Sequence, residues 1–520
     1  MLSEQVEQPD GRVELRPEVE LSGSRLYNED LAPTRLADRK WTTYNFAALW
    51  ISMAHCIPTY MMASGLITAG MSWTEALFTI LLGNTIVLIP ILLNSHPGTK
   101  YGIPFPVFAR ASYGIYGSNL PAIMRAIVAC GWFGIQCWIG GKALHTFMRA
   151  MWPGWDTALG GPVGGYAPTL WISFLIFWGL NILIIYRGMD LLRKVENWAA
   201  PYVLVMTAIL VWWAIDRANG LGPILEGSAH GNRGDKSFWS IFIPSLTAMI
   251  GFWATLSLNM PDFTRFGRSQ REQVVGQVVA LPTTMTVFAA MGVVITSATY
   301  VIYGEAIWDP MDLAIRFESR AMVAIAMFTV VVATLAVNIA ANVVSPANDF
   351  ANAFPRFITF RVGGLITGII GVAMCPWKLL ADPSGYIFAW LLGYSGGLGS
   401  IAGVLVADYW FVKRGRLDLA DLYRKDGRYA YGKLEGEAPA GAEGSAKPRT
   451  VWKGSGTNWV AVAATLLGCF FAWIGVLVPV LRPLYDYAWF VGAGVAAIAY
   501  FAGMKLTGDP AAIAPAGSQG

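Results

Sequence analysis

The chain is poor in charge. Asp, Glu, Lys and Arg make up 13% of its 520 residues, where a soluble protein of this size carries about 25%. That deficit argues against a soluble multidomain protein. Histidine is scarcer still, at four residues. Scattered as they are, they offer neither a nucleophile–base pair nor a metal cluster, which argues against an enzyme and against a cofactor. The five cysteines (Cys56, Cys130, Cys137, Cys375 and Cys469) all fall inside apolar segments without CxxC spacing. Neither a disulfide framework nor a metal site is implied, and small apolar filler explains them. No glycine-rich nucleotide loop of Walker type is present, which argues against ATP-driven work. The net charge of +4 is small, and no basic run interleaves with aromatics, so nucleic acid is not an expected partner.

What is abundant is hydrocarbon. Hydrophobic residues reach 55% and the mean hydropathy is +0.48. Twelve apolar segments are expected as spans, at 42–70, 72–95, 120–151, 167–186, 194–216, 237–260, 274–303, 319–344, 355–376, 383–412, 456–480 and 484–506. Each is long enough to cross about 30 Å of hydrocarbon. The first begins near Trp41, too far in for a cleaved signal peptide. The stretch Val107 to Tyr116 reads as a short surface helix or loop. Lys and Arg test the count: about 25 fall in the leader and alternate loops, and about 6 in the intervening ones. The alternation keeps one phase throughout, so the lipid bilayer is a partner and both termini are expected in the cytoplasm of an inner-membrane protein.

The expected layout is a leader (1–41), a first five-span unit (42–216), a second (237–412), a cytoplasmic loop (413–455), two appended spans (456–506) and a tail (507–520). The loop's middle, EGEAPAGAEGSAKP, and the tail are low-complexity and read as flexible. Two spans are interrupted where backbone ladders should run unbroken. Span 1 carries SMAHCIPTY, and span 6 carries IGFWATLSLNMPDF, with glycine at mid-span and proline at its end. Such breaks survive in a membrane where the freed backbone lines a cavity or is buried in protein. They open two consecutive five-span units, an odd number apart, which is the mark of an inverted repeat in a secondary transporter. A simple proline kink is the alternative.

Polar side chains inside the spans mark a candidate site. In span 3, Trp132 and Gln136 are four residues apart and share a helix face; in span 8, Asn338 and Asn342 do the same. Interhelical hydrogen bonding explains one such amide comfortably and two less well. Trp253 stands beside Gly251 at the span-6 break. Two indoles can sandwich a flat ring, and Gln and Asn amides can each give and accept a hydrogen bond with an –NH–CO– edge. No charged residue belongs to the group, which favours a neutral planar amide or imide: a nucleobase, a hydantoin or a ureide. His55 sits at the span-1 break, with a proton-linked or gating role set against a satisfied structural one. Lys142 and His145 read as snorkelling groups, and Asp262 as a cap or a partner of Arg265 or Arg268.

At these residues the chain resembles the nucleobase:cation symporter family, which includes hydantoin, allantoin, uracil and cytosine permeases. The resemblance covers roughly residues 27–505 and rests on LYNEDLAPT, CIPTYMMASGLI, GIPFPVFARASYGIYGSNLPA, WFGIQCWIG, NMPDFTRFGRS, NIAANVVSPANDFANAFPR and ADYWFVKRGRLDLADLY, in that order. It implies an all-α integral membrane fold of twelve helices, a five-plus-five inverted repeat of the leucine-transporter type with two C-terminal helices. It places the stacking tryptophans on Trp132 and Trp253, the substrate-bonding glutamine on Gln136 and the span-8 asparagines on Asn338 and Asn342. Where the hydantoin permease has a span-1 glutamine, this chain has Cys56, so one polar contact differs. A sodium site in the family would use carbonyls near Ser52, His55 and Ala333 and two span-8 hydroxyls. Those hydroxyl positions are Ala336 and Val337 here. Losing two of about five oxygens should weaken a hard-cation site severely. Thr334 points about 200–300° around the helix from them.

The expectation is therefore a symporter importing a neutral planar N-heterocycle or ureide, such as allantoin, uracil or a hydantoin. It would work by alternating access, with H⁺ as coupling ion or with no sodium requirement. A same-fold nutrient sensor or channel is the rival, and a membrane-embedded enzyme a more distant one.

Overall fold

A computed structural model describes residues 4–509 apart from 188, 228–233, 306, 308, 381–389 and 439–448. The chain is helical almost throughout. Its first half comprises α1 (Thr43–Ala54), α2 (Ile57–Thr68), α3 (Trp73–Tyr101), α4 (Phe105–Tyr113), α5 (Asn119–Met151), α6 (Pro168–Arg187), α7 (Met189–Arg217) and α8 (Leu221–Gly227). The second comprises α9 (Phe238–Phe252), α10 (Leu256–Asn259), α11 (Pro261–Thr264), α12 (Gln270–Tyr303), α13 (Pro310–Ala314), α14 (Arg320–Asn342), α15 (Val344–Ala353), α16 (Phe360–Ala373), α17 (Pro376–Leu379) and α18 (Leu392–Val406). After a linker come α19 (Trp459–Leu477), α20 (Arg482–Asp486) and α21 (Ala488–Thr507). Among the described residues, 8 helices are by themselves long and apolar enough to cross a membrane, and up to 10 spans result if each bent pair counts as one. The expected spans at 194–216 and 355–376 coincide with α7 and with the shorter apolar α16, which lie outside those ten.

Both expected breaks are present. The α1–α2 pair bends by 60°, and α9 with the following short helices by 43°. Pro58 explains the first. It has no N–H to give to the Ala54 carbonyl four residues back, and its ring clashes there. His55 and Cys56 leave the helix, Cys56 in an extended conformation (φ −142, ψ 156). The freed Ala54 carbonyl is repaired locally, by Cys56 N at 3.0 Å and Thr59 Oγ1 at 2.8 Å. At the second break the Gly251 carbonyl accepts from Ala254 N at 3.0 Å and from Tyr394 OH at 2.9 Å. A side chain at Gly251 would lie 2.7 Å from the Leu391 carbonyl, so glycine permits α18 to approach here.

Tight helix contacts frame the site. A Cβ on Gly134 would meet the Gly371 carbonyl at 2.2 Å, so α5 and α16 touch backbone to backbone, as small residues allow in membranes. Toward the face where the termini lie, Arg125 of α5 pairs with Asp349 of α15 at 3.2 Å, both side chains fully buried.

Two expectations about the periphery are corrected, and the leader adds structure of its own. Val107 to Tyr116 is not a surface segment: α4 is buried along its whole length. Arg110 is held there by the Leu422 carbonyl at 3.0 Å, the Leu26 carbonyl at 3.2 Å and Asn352 at 3.0 Å. The leader is folded, with β1 (Gln5–Glu7) pairing antiparallel to β2 (Val13–Leu15). Gln5 exchanges hydrogen bonds with the Leu417 carbonyl and Leu419 N (3.2 and 2.8 Å), so leader and linker cover α4 together. The low-complexity middle of the linker begins in a second hairpin, β3 (Gly432–Ala438) against β4 (Arg449–Gly454). Its remainder, and the tail beyond 509, lie outside the described residues.

Candidate functional site

The two breaks face each other, and the space between them is closed by α5 and α14. Met53, Cys56, Trp132, Gln136, Phe252, Trp253, Thr255, Leu256, Val337, Ala341 and Asn342 line one small void of about 30 Å³. Of the residues expected from sequence, Trp132, Gln136, Trp253, Asn342 and Cys56 are thus brought together. Among the described residues, no charged one lines the void. Its volume is that of about one water, so a heterocycle enters only when the walls part.

Each wall has a physical reason. Trp132 gives its Nε1 proton to Tyr394 OH at 3.2 Å, which hands its own to the Gly251 carbonyl. One hydrogen-bonded chain therefore ties α5, α18 and the α9 break. Phe252 packs edge-on between the two indoles, with ring centroids 5.2 Å from Trp132 and 4.9 Å from Trp253. Trp50 packs edge-on to Trp253 at 5.1 Å. The two indoles thus do not face each other across an open slot in this closed arrangement. Gln136 is 2% exposed, and its Oε1 has no hydrogen-bond partner; the same holds for Trp253 Nε1. An unmade buried hydrogen bond costs about 1–3 kcal/mol. Two residues that line the void thus each keep a polar atom unpaired, an acceptor on Gln136 and a donor on Trp253.

Asn338 stands apart. It is fully buried and reaches Asn181 Oδ1 at 3.1 Å and the Phe133 carbonyl at 3.4 Å, while accepting from Asn342 at 3.0 Å. It joins α14 to α5 and α6 and orients Asn342. Phe252, Tyr394, Met53 and Thr255 were missed by sequence reasoning, since aromatic and small residues in an apolar helix carry no mark. Only the Gly251 break signalled that its neighbours mattered.

The positions expected around a sodium ion also meet. Ile51, Ser52, His55, Val203, Leu204, Ala333, Ala336 and Val337 surround a second void of about 20 Å³. Among the described residues, Ser52 and His55 alone bring polar side chains to it. On the side away from the termini, His55 and Cys56 also line a third cavity of about 380 Å³ between α2, α7, α12, α13 and α14. Elsewhere, Lys142 does not snorkel free but pairs with Asp309 at 3.0 Å, and His145 meets Thr169 at 3.1 Å and Asp156 at 3.3 Å. Asp262 accepts from Phe105 N at 3.0 Å, so it pins α11 to α4 instead of bonding Arg265 or Arg268.

Helices broken at mid-span around a small, uncharged, aromatic-walled site define a secondary transporter of the leucine-transporter fold. The chain is similar over 92% of its length to a solved structure of MHP1, a nucleobase-cation-symport-1 family transporter in a closed conformation with bromovinylhydantoin bound, at 25% identity, TM-score 0.72 and 96% coverage of that chain. Residues 33–436 match the family described as permeases for cytosine/purines, uracil, thiamine and allantoin. The allantoin permease of Bacillus subtilis is 41% identical over 504 residues, 96% of each chain. The purine-uracil permease NCS1 of Arabidopsis thaliana is 41% identical over 414 residues, 78% of this chain and 68% of its own. The chain belongs to the nucleobase-cation-symport-1 family: it is a multi-pass membrane permease of nucleobase and allantoin type, and not an enzyme.

Proposed function

We propose that this permease imports allantoin, or a close relative among neutral planar ureides, hydantoins and nucleobases such as uracil, by alternating access. The observation that carries the reading is the convergence of Trp132, Gln136, Trp253 and Asn342 on one void without a charged side chain. A carboxylate or ammonium substrate would meet no counter-charge there, and a buried unpaired charge is costly. A ring with an –NH–CO– edge would satisfy Gln136 Oε1 and stack on indole faces once the walls part. The 41% identity with an allantoin permease along nearly the whole length favours allantoin within that class.

In this reading α1 to α7 and α9 to α18 form the two inverted repeats. The bundle carrying α1, α2, α9 and α10 rocks against α5 and α14 around the void. The face bearing the termini and most Lys and Arg is cytoplasmic. With Ala336 and Val337 at its wall, the second void lacks two of the about five oxygens that a Na⁺ site would use, so transport is coupled to H⁺ or has no sodium requirement. The test is uptake of radiolabelled allantoin into sealed vesicles carrying the full chain, in sodium-free buffer, against unlabelled competitors. Ureides, hydantoins or nucleobases should compete, and amino acids and sugars should not. Saturable uptake blocked instead by a charged amino acid would overturn the reading.

A further inference from the structure

The cavity of about 380 Å³ between α2, α7, α12, α13 and α14 is far larger than the substrate void and of a different character. Protein interiors are close-packed and hold few voids larger than a water, so a space of this size calls for an occupant. Among the described residues, no Asp, Glu, Lys or Arg lines it. Its walls are mostly apolar, with Leu210, Leu313, Phe317, Met327 and Val330 among them. Two of its hydroxyls are already engaged: Thr207 donates to the Val203 carbonyl at 2.8 Å and Thr329 to the Ile325 carbonyl at 2.9 Å. A buried water needs two to four polar partners, and these walls offer few. A ureide or nucleobase would leave its amide groups unpaired here, at a cost. The occupant that fits is apolar.

The mouth shows where such an occupant comes from. Four residues that line the cavity are exposed: Ile209 and Trp212 on α7, Met322 and Ile325 on α14. They belong to apolar stripes of helical spacing, Val205, Ile209 and Trp212 on one helix and Met322, Ile325 and Phe328 on the other, all exposed. In a membrane-spanning chain such stripes face hydrocarbon. Depth follows from the contact between the helices, where Tyr202 OH meets Thr329 Oγ1 at 3.0 Å. Trp212 is ten residues along α7 from that contact and Arg320 nine residues back along α14, so both lie about 14–15 Å from it. Tryptophan and arginine at one level mark the interface away from the termini. Ile209, Met322 and Ile325 lie within about 8 Å below that level. The mouth therefore opens into the acyl region of that leaflet.

We propose that this cavity is a phospholipid site, in which one acyl chain of the leaflet away from the termini enters between α7 and α14. The seated chain reaches Met327 and Leu313, which are 0% and 2% exposed and out of reach of lipid that merely surrounds the protein. It packs on Ile57 and Tyr60 of α2, directly after the first helix break. Their neighbour Cys56 lines both this cavity and the substrate void, so membrane lipid rests against the element that walls the substrate site.

The test uses the purified full-length chain in phosphatidylethanolamine–phosphatidylglycerol liposomes with a trace of phosphatidylcholine bearing a photoreactive diazirine in mid-chain. After irradiation, labelled residues are located by peptide mass spectrometry. Label should appear on Met327 and Leu313 as well as on exposed Phe328 and on Phe470 of α19. Label confined to Phe328, Phe470 and other exposed side chains means surrounding lipid only and overturns the proposal. Ala326→Phe fills the cavity from α14 and should lose the label on Met327 and Leu313 while keeping it on Phe470. Unchanged label on Met327 and Leu313 in that variant also overturns the proposal. Leu210→Phe, from the opposite wall, makes the same test should Ala326→Phe not fold. Loss of the Met327 label as the protein-to-lipid ratio rises, with a cross-linked dimer in its place, would assign the cavity to a second copy of the chain and contradict a lipid site.

Discussion

Gln136 and Asn338 look alike in the sequence, each an amide in hydrocarbon, yet the structure gives them different work. Gln136 Oε1 is unpaired at the void, whereas Asn338 spends its hydrogen bonds on three helices. Replacing Gln136 with Ala should raise the apparent Kd for allantoin by roughly 10-fold or more, since one hydrogen bond to a buried group is lost, and should leave thermal stability nearly unchanged. Asn338→Ala should show the reverse emphasis: a clear fall in melting temperature, because Asn181 and Asn342 lose their partner, with a smaller and indirect effect on affinity. Binding isotherms and melting curves on the two purified variants check this. Unchanged affinity in folded Gln136→Ala would remove that residue from the site. Asn338 also shows the limit of sequence reading at this scale. Period-four spacing puts a residue on a face, but only packing decides whether that face meets a ligand or another helix.

At the scale of elements, the breaks were legible because a membrane makes backbone interruption expensive and therefore conspicuous. Pro58 cannot continue a helix through Ala54, and Gly251 allows α18 to approach within reach of Tyr394. The third site wall, α14, was legible by what it lacks. Ala336 and Val337 face the small void beside Ser52 and His55, at the positions where the family resemblance leads one to expect two hydroxyls. Restoring them gives a prediction: Ala336→Ser combined with Val337→Thr should confer sodium stimulation on allantoin uptake, measured as the initial rate with sodium against choline. Both side chains are buried against α1 and α7, so the substituted oxygens have little alternative but the void. A wild type that already requires sodium and ignores pH would contradict the missing-oxygen argument. What sequence could not show were the short elements. Three-residue strands such as β1 and β2 are too brief to display a period, and α4 has a polar face that suggests solvent. That face is instead consumed by Arg110 and Ser112, the latter bonded to Asp408 at 2.8 Å.

For the whole molecule, hydropathy and the Lys/Arg alternation carried the fold, because a bilayer admits only helices or closed barrels and each segment here has helical length. The leader and linker are the part that composition left open. The leader reads only as charged and polar and the linker's middle as flexible, and their described residues close over the face of the bundle that bears the termini. Arg39, buried beneath the leader, has its pKa lowered to about 10 by desolvation and is satisfied by the Val13 and Thr34 carbonyls at 2.9 Å. Asp30 accepts from Phe360 N at 2.9 Å, and its carbonyl accepts from Arg265 at 3.0 Å, so the leader touches both the α11 end and the α16 start.

The account stands or falls on a flat, uncharged substrate entering between Trp132 and Trp253. The most direct measurement is the intrinsic fluorescence of the purified chain titrated with allantoin. With 22 tryptophans present, the signal is assigned through Trp132→Phe, Trp253→Phe and the double variant. The account predicts a saturable change in the wild type, a reduced one in each single variant and none in the double variant, with the Phe rings still supporting weakened binding by radioligand. A fluorescence response that survives unaltered in the double variant would place the substrate elsewhere and contradict the site.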